Sequence, residues 1–424
     1  MFNLTHRKNL TVVTSPMPYL ETCALGIFIK WGARFEPVTL KGVAHFIEHM
    51  LFKGTKKYSY RKIKQQIEGR GGSVNAFTSQ EVTAYYAQFL RKNLEITADI
   101  LFDMVEHPLF EVKEIEKERN VILEEIKMYR DLPHARALSL LDELLWDKHP
   151  LGRDVIGYDT TVKYIRRNHL AECRDRYYVS PRIMIFCAGA FDRDVFFSTL
   201  ASRLAGTKKG SPLKPQKPPA PLRGRKIVVE QKNIDQTHLC VGFRSIPYTH
   251  RYRFAIELLH VLMGANMSSR LFEEIREKRG LCYDVSTEVK KYKDSGAFIV
   301  HCGLDKKNIG EALACIIHQL EKIKDQLVSQ RELERAKDYL LGQMAMNLER
   351  PMGRMFYLAD LLISIDKIYS FEQLREYIRK VTPQDIRILA RQLFVKERVC
   401  LTCVGNIEKN QADMCVKILE KGGV

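Results

Sequence analysis

The order of local patterns along this chain occurs twice, and that repetition constrains the fold more than any single motif. Runs of β-branched and apolar residues at 9–15 (NLTVVTS) and 23–31 (CALGIFIKW) read as strands. Helical periodicity follows from about Thr39 to Thr55 and again at 60–68, then strands at 73–79 and 82–90. Helices at 93–106, 112–130, 134–147 and 160–177, a strand at 182–190 and a helix at 192–204 complete the first pass. Residues 206–226 (GTKKGSPLKPQKPPAPLRGRK) hold five Pro, three Gly and seven Lys or Arg without an acid, the composition of a boundary. After it come strands at 226–231 and 237–245, helices at 255–264 and 268–278, strands near 282–290 and 296–303, long helices at 306–326 and 329–349, and a strand at 398–406. Two halves of about 200 residues with one element order imply an internal duplication. The expected fold class is therefore α+β: two tandem homologous units, each an antiparallel-rich sheet with helices packed on it. The expected domains are 1–205, a basic Pro-rich linker at 206–225, and 226–424.

Composition removes several classes of function. The ten Cys fall mostly inside apolar runs, as buried thiols of a reducing compartment do. Cys400 and Cys403 form a CxxC, but in a strand-like run (VCLTCVG) with no second pair, so core packing is the expectation. No apolar core of a secretory leader stands in MFNLTHRKNLTVV, and no run of about 18 apolar residues marks a membrane span. A cytoplasmic protein is expected. The net charge of +17 invites a nucleic-acid or anionic-surface reading, yet seven of those charges sit within 206–226 and no nucleic-acid signature accompanies them.

One helix carries chemistry. In GVAHFIEHMLFKGT (42–55), His45 and His49 are four apart, which puts both imidazoles on one face, one turn from each other. Two imidazoles so placed can share one Zn²⁺, and Glu48 points to nearly the same side. The arrangement H-x-x-E-H is the inverzincin order. A catalytic zinc needs a third protein ligand and an open position. The helix VKEIEKERNVILEEIKMYR (112–130) offers two carboxylates, Glu118 and Glu125, on a stripe with Ile115, Ile122 and Tyr129. Carboxylates on such a face need partners, and a metal with its imidazoles provides them. Glu124 lies about 100° off the stripe. Only the first half has this pair; the matching helix of the second reads AIELLHVLMG, so that half is expected to lack a metal site.

HFIEH followed by ERNVILEE resembles the pitrilysin/insulinase family of zinc peptidases, in its mitochondrial-processing-peptidase-like branch of half-length chains. The resemblance implies that His45, His49 and Glu125 ligate one zinc per chain, with Glu118 supporting the site and Glu48 as general base. It implies that GGSVNAFTSQEVTAYYA (71–87) supplies a substrate-binding edge strand, with Asn75, Ala76 and Phe77 against an extended peptide. It implies further that MSSRLFEEIREKRGLCYDV (267–285) supplies Arg276 and Tyr283 to the active site. Half-length members pair, so a homodimer or a heterodimer with a related chain is expected, acting as a zinc endopeptidase on unfolded peptides, without nucleic acid or a membrane span. Read without the resemblance, Arg276 is one charge on a solvated helix and Tyr283 a core residue of a strand. The competing functions are a catalytically silent partner subunit of the same fold, or a basic protein that binds nucleic acid or a membrane surface.

Overall fold

The computed structural model describes residues 2–7, 10–203, 208–220, 224 and 226–423. Among them are eleven strands in two sheets. The first sheet comprises β1 (Asn3–Arg7), β2 (Leu10–Pro16), β3 (Thr22–Ile29), β4 (Ser73–Thr78), β5 (Thr83–Leu90) and β6 (Ile183–Gly189), in the order β1-β2-β6-β3-β5-β4. The second comprises β7 (Lys226–Gln231), β8 (Gln236–Ser245), β9 (Cys282–Lys291), β10 (Gly296–Asp305) and β11 (Cys400–Gly405), in the order β7-β11-β8-β10-β9. Apart from β1 the two orders are the same. Each sheet has one parallel pair, β2 with β6 and β7 with β11, and is otherwise antiparallel.

The helices of the first half are α1 (Val43–Leu51), α2 (Tyr60–Ile67), α3 (Leu94–Glu106), α4 (Val112–Asp131), α5 (Pro133–Trp146), α6 (Asp159–Tyr164), α7 (Arg167–Tyr177) and α8 (Arg193–Arg203). Those of the second are α9 (Arg253–Met263), α10 (Ile309–Asp325), α11 (Gln330–Leu348), α12 (Pro351–Ile365), α13 (Phe371–Arg379), α14 (Pro383–Leu393) and α15 (Lys409–Lys421).

Compactness divides the chain otherwise than at the expected 206–225. One unit holds Met1–Lys127, Arg153–Gln216 and Met346–Ile368; the other holds Met128–Gly152, Lys217–Ala345 and Tyr369–Val424. Each unit thus takes one helix from the other half of the sequence. The reason lies in the central strands, which are apolar on both faces. In β3, Cys23, Leu25 and Ile27 face a core shared with α1, α3 and α7, while Ala24 and Phe28 face the other way. That second face is covered by α12 through Met355, Leu358, Ala359 and Leu362. In the second unit α5 does the same through Ala137, Leu140, Leu141 and Leu145 over Cys240, Ala297 and Ile299. Gly26 of β3 and Gly242 of β8 let these helices approach: a Cβ would meet Met355 Sδ at 2.9 Å in one case and Leu141 Cδ2 at 2.8 Å in the other.

Local differences from the expected elements have local causes. The edge strand β1 was not expected, because NLTHR is short and polar, with Leu4 largely exposed. The expected helix 160–177 is two, since Ile165 and Arg166 are extended and the His169 side chain accepts from Arg166 N at 3.1 Å, restarting the helix. Of 268–278, the described helical turns are π-type and run over Phe272–Glu277. The proposed linker is partly tied down: Arg182 Nε donates to Ser211 O at 2.8 Å and Arg34 Nη2 to Gln216 O at 2.7 Å. Residues 204–207, 221–223 and 225 lie outside the described residues. No helix among those described is long and apolar enough to cross a membrane.

Candidate metal centre and active site

Helix α1 does not start at Thr39. Residues Val38–Leu40 form a 3₁₀ turn, and α1 begins at Val43 after Gly42, whose φ is +90°. A Cβ at Gly42 would also meet Ile156 O at 2.5 Å, so position 42 needs glycine twice over. The free N–H groups of the first turn are met by an acid from upstream: Gly42 N donates to Glu36 Oε2 at 3.0 Å and Ala44 N to Glu36 Oε1 at 2.7 Å. Burial raises the Glu36 carboxyl to about 7, although Lys41 Nζ, 3.8 Å away, and the two amides oppose that shift. Glu36 was not singled out from sequence; an acid six residues before a glycine-led helix is a weak signal.

Val43, Phe46, Ile47 and Met50 bury one side of α1, which turns His45, Glu48 and His49 towards α4 and β4. There His45 Nε2 lies 3.7 Å, and His49 Nε2 3.6 Å, from Glu125 Oε2. Among the described residues, these three form the group of His, Cys, Asp or Glu whose donor atoms all lie within 4.8 Å of one another. Glu124 points away, exposed and bonded to Lys127 at 2.6 Å, as the stripe on α4 required. Glu118 lies 3.0 Å from His49 Nδ1, and Lys53 Nζ caps its other oxygen. A carboxylate on Nδ1 holds the proton there and leaves Nε2 as a lone-pair donor, the tautomer a metal needs. Burial opposes the charge on Glu118, but its bonds to His49 and Lys53 prevail and hold its pKa below the usual range.

Desolvation, helped by the charge of His49, takes His45 down to about 3, so it is a neutral ligand at pH 7. Its Nδ1 is buried with no hydrogen-bond partner among the described residues. Two imidazoles and a carboxylate with Nε2 and Oε2 converging are the borderline N/O donor set that suits Zn²⁺. The residues fit the ion.

Glu48 stands beside this group without belonging to it. Thr78 Oγ1, on β4, donates to Glu48 Oε2 at 2.6 Å. Burial raises the Glu48 pKa, the Thr78 bond and His49 oppose it, and Glu125 adds to it. Thr78 and Lys53 were missed in the sequence; Lys53 stands four residues after His49, just past the end of α1.

Strand β4 lies at the edge of its sheet, paired among the described residues only with β5. Asn75 is exposed and its Oδ1 accepts from Ala76 N at 2.8 Å. Phe77 is otherwise engaged: its ring lies 6.5 Å from Phe28 and 6.0 Å from Phe356. At position 77 the strand therefore offers main chain, not a side chain. In the second unit, Arg276 and Tyr283 come together, the guanidinium 5.5 Å from the Tyr283 ring centroid. Tyr283 is 77% exposed at the start of edge strand β9, which excludes the core reading.

Comparison with known proteins gives the family of the chain. Residues 11–159 match the model of the insulinase family, peptidase family M16, and residues 164–340 match the model of the peptidase M16 inactive domain. A protein of Bacillus subtilis named as an uncharacterized zinc protease is 31% identical over 394 residues, spanning 93% of this chain and 95% of its own length. One of Mycobacterium tuberculosis with the same description is 32% identical over 389 residues, spanning 91% and 88%. A solved structure of a protease from Helicobacter pylori superposes with a TM-score of 0.89 at 21% identity, over 96% of this chain and 99% of that one. The peptidase M16 inactive domain structure from Pseudomonas fluorescens gives 0.87 at 19%. With the tandem N- and C-terminal units both matched and relatives of the same length named zinc proteases, this chain belongs to the insulinase family of M16 peptidases.

Proposed function

We propose that the protein is a zinc-dependent endopeptidase that cleaves extended segments of unfolded polypeptide. The observation that carries this reading is the convergence of His45 Nε2, His49 Nε2 and Glu125 Oε2 beside a carboxylate, Glu48, that is not needed as a ligand. Zinc, when bound by those three residues, supplies Lewis acidity to the attacking water and to the scissile carbonyl. Glu48 removes the proton of that water. Thr78 fixes one of its oxygens, and the raised pKa lets the acid hold the proton until it passes to the leaving amine. Glu118 keeps His49 in the ligating tautomer. A substrate strand adds to the free edge of β4 by main-chain hydrogen bonds beside Asn75 and Ala76, so affinity comes largely from backbone and choice from side-chain pockets.

Arg276 and Tyr283 are a preassembled donor pair for the developing oxyanion. In this reading two chains pair, as a homodimer or with a related chain, and each lends its Arg276 and Tyr283 to the partner's zinc site. Zinc analysis and cleavage of a peptide library by the purified protein, with Glu48→Gln as control, test the assignment. A metal-replete Glu48→Gln protein with wild-type turnover would overturn it.

A further inference from the structure

The second unit keeps no ligand set on α9, but its sheet carries imidazoles that the peptidase reading does not use. On the face covered by α5, His301 of β10 follows Ala297 and Ile299 in alternation. The register places Asp284 of β9, Gly303 of β10 and His238 of β8 in one row across three strands, with Ser286, His301 and Cys240 in the next. Gly303 leaves the middle of its row without a side chain; a Cβ there would come within 3.0 Å of Gln236 Nε2. At the start of α5, His134 overhangs this corner, its ring centroid 4.2 Å from that of His301 and 5.9 Å from that of His238.

Two of the rings are set for one ion. His238 Nδ1 and His301 Nε2 are 3.1 Å apart. Two imidazole nitrogens on one tetrahedral zinc, at Zn–N of about 2.0–2.1 Å, stand about 3.3 Å from each other. His301 also repeats the arrangement of His49: its Nδ1 faces a carboxylate, Asp284 Oδ2, at 3.5 Å, which leaves Nε2 as the lone-pair side. Burial holds His301 down at about 3 and His238 below its ordinary value, with His134 adding to both shifts, so the pair is neutral and ready to ligate. The third donor is not preset, since only His45, His49 and Glu125 among the described residues bring three donors within 4.8 Å. His134 is exposed at a helix start, and rotation about its side-chain bonds brings a nitrogen towards the pair.

We propose that His238 and His301, closed by His134, form a second divalent-cation site of the chain, suited to the zinc, copper and nickel class, with Asp284 orienting His301. Bound there, an ion would tie α5 to β8 and β10 within the second unit, a structural clasp separate from the candidate active site. The competing interpretation is a hydrogen bond between two neutral imidazoles and nothing more.

The test is zinc stoichiometry of the full-length metal-stripped chain after reloading and gel filtration, in four forms. Wild type should retain two ions, Glu125→Gln one, His134→Ala with His238→Ala one, and the combination of all three none. The His134 and His238 positions are exposed and half-buried, so the double variant should fold, which circular dichroism checks. Cu²⁺ added to Glu125→Gln should give an electron paramagnetic resonance spectrum with nitrogen hyperfine structure that the double His substitution removes. The dissociation constant of the second ion should rise more than about tenfold in either single His variant. A wild-type chain that retains only one ion, or a second ion unaffected by the double substitution, would overturn the proposal and leave only the hydrogen bond. Neither result bears on the peptidase site, whose ion is read independently through Glu125→Gln.

Discussion

Set side by side, the two units show what sets α1 apart from α9. In the first, α1 lies behind edge strand β4, and Thr78 of that strand bonds Glu48 at 2.6 Å. In the second, α9 lies behind edge strand β9, and Thr287 of that strand meets His260 Nδ1 at 2.7 Å. The helix-to-edge polar contact is the same device in both; only in the first does it position an acid beside a metal set. The following helices differ likewise. On α4, seven residues after the Glu118-Arg119 pair stands Glu125, half-buried and facing imidazoles. On α11, seven residues after Glu334-Arg335 stands Leu341, 7% exposed in the core of its unit. Where no imidazoles stand opposite, the position is hydrocarbon, because an ionised carboxylate left there without a partner costs far more than the roughly 2–7 kcal/mol of an unpaired amide or hydroxyl. The comparison of the halves singles out Glu125, whose place the second unit fills with Leu341.

The sharpest way to break this comparison is to make the first unit like the second at one position. Glu125→Gln is predicted to lose the ion held by His45 and His49 on dialysis against a weak chelator, and peptidase activity with it, while Glu124→Gln keeps both. Retention of that ion by the Glu125 variant and its loss by the Glu124 variant would reverse the assignment on α4. Glu48→Gln should retain zinc and lower kcat by at least about 10²-fold, the usual contribution of a general base.

Next in size is a test of whether the two units of one active site come from different chains. Glu48→Gln and Tyr283→Phe chains should each be nearly inactive alone. Co-expressed, half of a randomly mixed population carries one intact site of two, so activity should return to about a quarter of wild type. Activity no higher than that of either parent would place Tyr283 in cis or outside the site. Glu118→Gln is expected to have a milder effect, weakening zinc about 10- to 100-fold while leaving it bound at saturating metal, measured by competition with a chromogenic chelator.

The smallest expected effect concerns the anchoring of α1, whose first amides rest on the buried Glu36 carboxyl, whereas at α9 the Tyr252 amide donates to the His250 imidazole at 3.2 Å. The Glu36 carboxyl titrates at about 7 in the fold and near the ordinary 4.5 when unfolded. The folded state then holds more proton than the unfolded one between those values, so this group's stabilisation is complete below about 4.5 and is lost as pH rises through 7. Denaturant midpoints at pH 5 and pH 8 should differ less in Glu36→Gln than in wild type. An equal difference in both proteins would assign the pH dependence to other groups. Glu36→Ala, which strips the acceptors from two helix N–H groups, should cost about 1–3 kcal/mol at either pH.

Much of this was present in one dimension. The duplicated element order, His45 to His49 on one turn, and the stripe that separates Glu125 from Glu124 all follow from periodicity, because residues four or seven apart on a helix have their relative directions set by 3.6 residues per turn. Position alone could not give the exchange of α5 and α12 between compact units. A strand apolar on both faces says that something must cover each, but not which helix, and Gly26 and Gly242 declare their purpose only when Met355 and Leu141 are seen above them. Thr78 on Glu48, Lys53 on Glu118, Glu36 beneath α1 and the meeting of His134, His238 and His301 were equally hidden, as contacts between elements distant in the chain or turns of no fixed period. Local periodicity is determined by backbone geometry and can be read in sequence. Which side chains meet across a core is determined by how the sheets pair and which helices cover them, and that exists only once the chain has folded.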